Sequence, residues 1–366
     1  MEEVVIVSAV RTAVGKLGGT LKDVLPEDLA KTVIEEAIRR AEIRKDQVDE
    51  VILGHAKQSA DNPNIARLAS LKAGLPIETP AYTVHRQCAS GLQAVLNGAH
   101  QIALGLSEIV VAGGVESMST APYYIRNARF GVYAGNTLLL DPNTESQPRS
   151  QPAEIYGELT MGMTAENLAV KYGISRQEQD EFALLSQQRA HEAIAAGRFK
   201  EEIVPVYVPQ KKQDPIVFDT DEHPRKTSLE ELARLKPVFK QDGTVTAGNS
   251  SGRNDGASAL MLMAKRRAEE LGLKPLARLV SEGVAGVSPD IMGIGPVPAT
   301  RIALSRAGLS LRDIDLIELN EAFAAQSLAV LKEWGIGTER VNVNGGAIAL
   351  GHPRQLRRAH SRHAAA

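Results

Sequence analysis

Val84-His85-Arg86-Gln87-Cys88-Ala89-Ser90-Gly91-Leu92-Gln93-Ala94-Val95 holds the only cysteine in 366 residues. An extended, β-prone run, Ala81-Tyr82-Thr83-Val84, leads into it. A helix-like stripe follows, with Leu92, Val95, Leu96, Ala99 and Ile102 on one face. Cys88 therefore stands where a strand turns into a helix. There the unpaired N–H groups and the positive end of the helix dipole favour an anion. A thiol in that position tends to lose its proton, and the thiolate is the nucleophile. Most free cysteines are instead small buried hydrophobes. The local pattern leaves both roles open.

The length predicts two domains or one large one. Apolar residues make up 43% and aromatics only 4%, so Ala, Val, Leu and Ile must fill the core. The 31 glycines suggest tight turns and close backbone packing. A net charge of −2 gives no pull toward nucleic acid or an anionic membrane. A single cysteine excludes an internal disulfide framework and fits a reducing compartment. Met1-Glu2-Glu3-Val4-Val5-Ile6-Val7 enters a strand without a basic or long apolar leader. No apolar run reaches membrane-spanning length. The expectation is a soluble, cytoplasmic protein.

Val4-Val5-Ile6-Val7 reads as a strand buried on both faces. Arg11-Thr12 with Gly15, Gly18 and Gly19 reads as a loop of plain turn chemistry. Residues 26–43 read as a helix with Leu29, Val33, Ile34, Ala37 and Ile38 on one face. Residues 48–54 read as a second buried strand, and 64–74 as a helix closed by Gly74. Residues 108–118, after the Cys88 segment, form another apolar run ending in a Gly-rich turn. Strands alternating with helices predict an α/β layered fold.

From 121 to about 245 apolar runs shorten while Pro, Gly, Asn and charged residues rise. Residues 163–196 read as helical, with Ser175 and Glu178 as a capping box. Residues 203–208 and 216–218 look like short edge strands. The segment reads as an insertion folded over the core, of the kind that forms lids and binding walls. Regularity returns at 257–263, followed by a helix to 271. Residues 277–281, 314–320 and 340–346 then repeat the order and spacing of the first half's strands. Such a pseudo-repeat suggests two similar halves with a site at their junction. The expected division is 1–120 with 250–272 as the first half, 121–249 as the inserted domain and 273–366 as an incomplete second half.

Four further segments carry candidate chemistry. Asn320-Glu321-Ala322-Phe323-Ala324 follows a buried strand directly, where α/β folds place ligand-binding residues; it also suits a helix start, with Asn320 as the cap. Gly351-His352-Pro353 places a histidine in a turn. Of the chain's eight histidines, His55, His100, His191 and His223 have ordinary contexts. A cysteine with a histidine in reach is the minimum for an activated thiol nucleophile. Gly248-Asn249-Ser250-Ser251-Gly252 is either a plain turn or a backbone approach to a ligand. Arg225-Lys226 could meet phosphates or simply be solvated. There is no Walker motif, no opening GxGxxG and no metal-spaced cluster.

Cys88-Ala89-Ser90-Gly91, Gly248-Asn249-Ser250-Ser251-Gly252, Asn320-Glu321-Ala322-Phe323-Ala324 and Asn344-Gly345-Gly346 through Gly351-His352-Pro353 stand in the order seen in thiolases. The chain resembles acetyl-CoA C-acyltransferases from Val4 to Pro353. Val5-Ile6-Val7-Ser8-Ala9-Val10-Arg11-Thr12 and Met292-Gly293-Ile294-Gly295-Pro296-Val297-Pro298-Ala299 fit the same family. The resemblance implies a thiolase-like layered αβαβα core of two βαβαβαββ halves with an inserted loop domain. It implies acyl transfer between two acyl-CoA molecules, with coenzyme A thioesters as substrates, no separate cofactor, no metal, and a homodimer or homotetramer. It also implies roles. Cys88 takes the acyl group as a thioester. His352 accepts its proton and helps hold the thioester oxygen of the second acyl-CoA. Asn320 positions a water in that oxyanion hole, and the Cys88 N–H serves the other. Ser251 meets the pantetheine arm, Met292 and Phe323 wall the acyl pocket, and Arg225 lies near the nucleotide end of CoA.

One departure stands out. The family continues past His-Pro into a helix and ends with a second cysteine, which removes the α-proton of the second acyl-CoA. Here the chain reads Arg354-Gln355-Leu356-Arg357-Arg358-Ala359-His360-Ser361-Arg362-His363-Ala364-Ala365-Ala366. Read one frame over, a back-translation of this tail gives a small-residue and apolar run resembling the family's helix. The expectation is a frameshift just after the Pro353 codon, which resequencing tests. A chain so ended supplies a nucleophile without the second base, and should leave an apolar face of its second half uncovered. The alternatives to full turnover are then a partial enzyme that acylates Cys88 without condensing, and a non-catalytic acyl-CoA or lipid-binding protein of the same fold.

Overall fold

The computed structural model describes residues 2–352. The expectations for the tail lie outside the described residues. The first half is built on one mixed sheet. Its long strands are β1 (Val4–Thr12), β2 (Glu50–Gly54), β3 (Ala81–Val84) and β4 (Ile109–Ser117). A hairpin of β5 (Val206–Gln210) and β6 (Gln213–Phe218) stands apart, and β7 (Asn254–Ala264) returns to the sheet. The order across it is Ala277–Arg278, β1, β7, β4, β2, β3. β2, β3 and β4 run parallel, and β7 lies antiparallel between β4 and β1.

The sheet is covered on both faces, which is why its strands read as unbroken apolar runs. Helix α1 (Pro26–Arg40) and α2 (Ile65–Lys72) pack on one face, where Leu29, Val33 and Ile34 meet Val111, Met261 and Met263. Helix α3 (Ser90–Ala103) packs on the other, with Ala94, Val95 and Ile102 against Ile52, Val110 and Leu262. Successive residues of β4 thus feed opposite cores, as alternation along a strand requires. Between α3 and the sheet Gly98 is obligatory: a Cβ there would stand 2.9 Å from Val110. Asn64 caps α2 by accepting the Arg67 N–H, and Gly74 leaves it at φ +72°.

The predicted loop at Arg11 is corrected. Arg11 and Thr12 end strand β1, and the Arg11 guanidinium is buried. It holds Asp221 through two bonds of 2.7 and 2.8 Å and Glu202 through one of 2.7 Å. Burial opposes its charge, but the two carboxylates more than offset this and hold it protonated.

Between β4 and β7 the chain forms α4 (Met161–Tyr172) and α5 (Arg176–Ala195), split at Gly173 by a left-handed cap. The Ser175–Glu178 capping box forms as expected. The second half adds α6 (Pro296–Ala307), α7 (Ala324–Trp334) and the short α8 (Ala347–Leu350). These bury Ala325, Val330, Ile317 and Val341 against Leu168 and Phe182 of the insertion. The expected strands of this half form no sheet of their own among the described residues. Residues 277–281 reduce to Ala277–Arg278 on β1, and 314–320 and 340–346 meet in the single bridge Ile317–Val341. The physical reason is pairing: an extended segment becomes a strand only where a neighbour takes its N–H and C=O groups. No described helix is long and apolar enough to cross a membrane.

Candidate active site

The ends of β1, β2, β3 and β4 and the start of β7 lie along one edge of the sheet. Ligand sites of α/β folds form outside this edge. Cys88 leaves it after β3 and is exposed. Gln87, just before it, takes a left-handed backbone at φ +47°. Ser90 ties the turn: its Oγ accepts the Arg86 N–H at 2.7 Å and donates to the Gln87 carbonyl at 2.6 Å. The buried-hydrophobe role for Cys88 therefore fails, since the thiol faces outward from a strained elbow opening a helix.

Asn320 is half-buried and does not cap α7, which begins at Ala324 with Phe323 at the cap. That part of the reading is corrected. Its neighbours are clamped instead. Asn342, at φ +48°, uses its side chain as a strand partner for Leu319, accepting its N–H and donating to its C=O, both at 2.8 Å. Glu321 is buried and accepts from Ser186 Oγ at 2.7 Å, Asn342 Nδ2 at 2.8 Å and the Ile348 N–H at 3.2 Å. The carboxylate fills the space beside Gly346, where a Cβ would stand 2.0 Å from its Cδ.

His352 is buried and donates its N–H to Asn254 Oδ1 at 2.9 Å. Ser251 donates its N–H to the Ala322 carbonyl at 3.0 Å, and Ala324 donates to Asn249 at 2.9 Å. The Gly248 loop is thereby zipped to the Asn320 loop. Phe323 stacks edge-on against Phe239 at 6.0 Å, with Gly162 leaving room for the Phe239 ring. Met292 is half-buried in a 3₁₀ turn, Pro289–Ile294, that packs on α4 and α7. The Arg225 guanidinium is exposed and donates to the Ala247 carbonyl at 2.8 Å, beside the same loop. Ser251, Asn320, Phe323, Arg225 and His352 thus gather around the start of β7, and Cys88 shares their sheet edge.

Two histidines with ordinary sequence contexts prove otherwise. His55 is buried, 2.9 Å from the Val115 carbonyl and 3.2 Å from Glu116. Burial opposes its charge, but Glu116 and that carbonyl raise its affinity for a proton. It lines a cavity of about 230 Å³ with Leu25, Lys57, Ser117 and Thr120. His223 is pushed down to about 4 by burial and by the nearby Arg225 and Lys16. Asp255, also missed, is buried and raised to about 6 by desolvation, against bonds from Ser119. The Asn-Asp pair at 254–255 offered one signal: polar residues opening an apolar strand.

Comparison with known proteins accords with this arrangement. Residues 4–266 match the family model of the thiolase N-terminal domain, and 273–359 that of the thiolase C-terminal domain. The chain is 52% identical over 354 residues to an acetyl-CoA acetyltransferase of Pseudomonas aeruginosa, covering 96% of this chain and 89% of that protein. It is 50% identical to the beta-ketothiolase BktB of Cupriavidus necator, covering 96% and 88%. The crystal structure of the Bacillus anthracis acetyl-CoA acetyltransferase superposes with a TM-score of 0.93 at 50% identity, covering 96% and 88%. Human mitochondrial 3-ketoacyl-CoA thiolase in complex with CoA gives 0.91 at 46% identity, over the same shares. By sequence, fold and the order of its motifs, the chain belongs to the thiolase family.

Proposed function

We propose that this chain transfers acyl groups between coenzyme A thioesters, making or cleaving a 3-ketoacyl-CoA through an acyl-enzyme on Cys88. The observation that carries this reading is the exposed thiol on its Ser90-tied elbow, on the sheet edge that also holds the His352 turn. The Cys88 sulfur attacks the thioester carbonyl while the His352 imidazole takes the thiol proton. A carbon–sulfur bond forms to Cys88, the bond to coenzyme A breaks, and the departing thiolate receives that proton. The Cys88 N–H holds the first oxyanion. Asn320 and His352 hold the oxygen of the second thioester, Asn320 through a water. Ser251 receives the pantetheine arm, Met292 and Phe323 bound the acyl chain, and Arg225 faces the nucleotide end.

Coenzyme A thioesters are the substrates, with no further cofactor. The inserted domain spans 121–249, between halves at 1–120 with 250–272 and 273–366; the change of family model between 266 and 273 supports the second boundary. The chain works in the cytoplasm and assembles with copies of itself. The open edge strand β3 and the exposed Phe130, Tyr133 and Leu138 support assembly.

A second reading rests on composition. Condensation needs a base at the α-carbon besides the nucleophile, and the 366 residues hold one cysteine. On that reading the chain acylates Cys88 and stops. Incubation with acetyl-CoA followed by mass spectrometry separates the two. An acetyl group on Cys88 with acetoacetyl-CoA formed supports the first, and the adduct without product supports the second. No adduct, with coenzyme A affinity unchanged in Cys88→Ser, refutes both and leaves a binding protein.

A further inference from the structure

We infer that His223, on the inserted domain, is a positioning residue for His352, acting through Asn254. This rests on the proposed pairing of Cys88 with His352.

The side chain of Asn254 has no exposed surface, and each of its polar atoms is used. Its Oδ1 accepts the His352 N–H at 2.9 Å. Its Nδ2 donates to the Gly15 carbonyl at 2.9 Å and faces His223 Nδ1 at 3.4 Å. A neutral imidazole donates through one nitrogen and accepts through the other. With Nδ1 accepting from Asn254, the other nitrogen is the donor. His223 thereby braces the Asn254 amide that holds the His352 N–H.

Packing makes the clamp tight. A Cβ on Gly252 would stand 2.2 Å from His223 Cε1, and one on Gly351 2.6 Å from Asn254 Nδ2. The backbone around His223 is anchored residue by residue. Asp221 binds Arg11 and the Val14 N–H. Glu222 accepts from Lys16 and Thr20. The Arg225 N–H donates to Gln187, whose amide also reaches the Ile348 carbonyl at 3.4 Å. Lys16, Glu222 and Arg225 are the charges facing the ring, and burial with the two cations keeps it neutral.

The test uses the 366-residue chain, its single thiol and iodoacetamide. Hydrogen exchange of the peptide ending at His352 reads the clamp itself. His223→Ala and Asn254→Ala should each speed exchange about tenfold, the scale of one lost hydrogen bond. His223→Gln, which retains a donor and an acceptor, should restore protection. The second readout is Cys88 alkylation by mass spectrometry. His352→Ala should slow it at pH 7 and not at pH 10, where the thiol ionises unaided. His223→Ala and Asn254→Ala should show the same pH-selective loss, with His223→Gln near wild type. Unchanged exchange in His223→Ala overturns the clamp. Slowing by His352→Ala alone overturns the positioning role while leaving the Cys88–His352 pair standing. No slowing by His352→Ala refutes the pair, and the positioning role with it. Melting curves identify any variant that has lost its fold, and the isosteric Asn254→Asp then replaces it.

Discussion

Glu321 shows how one side chain ties distant segments of a site together. It accepts from three separate segments, on α5, on the Asn342 turn and at the start of α8. Gly346 leaves the space its carboxylate occupies, so Gly346→Ala should cost about 1–3 kcal/mol by overpacking, read as a lower urea midpoint with unchanged slope. Asp255 sets a pH dependence. Its folded pKa of about 6 lies above that of an unfolded Asp, so the folded state binds the extra proton between the two values. Stability from this group is therefore greatest below about pH 4 and falls as pH rises to about 6, by about 2–3 kcal/mol. Asp255→Asn should flatten that part of a stability–pH curve, and a curve superimposable on wild type would refute the assignment. The segments of Cys88, His352 and Asn320 stood out in the sequence because they are short local motifs, and the fold brings the His352 and Asn320 turns together at the start of β7. Asn254, Asn342 and His223 did not stand out, since each acts through a partner distant in the chain.

At the level of elements, the ion pair at Arg11 joins the first strand to the insertion across 210 positions. Turn residues around Gly15 and Gly18 made Arg11 look like part of a loop, and only the fold brings Asp221 and Glu202 to it. Stranding a buried charge costs about 3–5 kcal/mol. Asp221→Ala leaves Glu202 on Arg11 and should lower the unfolding free energy by less than that, while opening the chain to trypsin at Arg225-Lys226. A stable variant uncut at that site would contradict the anchoring role. Helices with a capping box, such as α5, or a terminal glycine, such as α2, were legible because their start and stop signals are local. The pairing of the second half's apolar runs was not legible, for the opposite reason: apolar alternation marks a segment that can pair, while pairing itself is a long-range event.

On the scale of the whole molecule, the two halves differ in how well they are knit. The first has a continuous sheet with cores on both faces, whereas the second relies on helices packed against the insertion. Val280, Val284 and Leu316 stand exposed on its extended segments. Amides of 279–288 and 314–316 should therefore exchange far faster than those of β4 and β7, and the chain should bind the dye anilinonaphthalene sulfonate. Slow exchange throughout the second half, with no dye bound, would contradict this. The layered α/β class was legible from periodicity, but the extent of each sheet was not. A last consequence follows from α5. Ser186 and Gln187 on this helix receive the Gly346 N–H and reach the Ile348 carbonyl, so the turn carrying His352 rests on α5 as well as on Glu321 and Asn254. Exchanging the insertion for that of a relative, the obvious route to a new chain-length preference, would also replace the ledge beneath the histidine. Under the proposed function, substrate range and proton transfer would then be mechanically coupled, and a graft of this segment should carry both traits or neither.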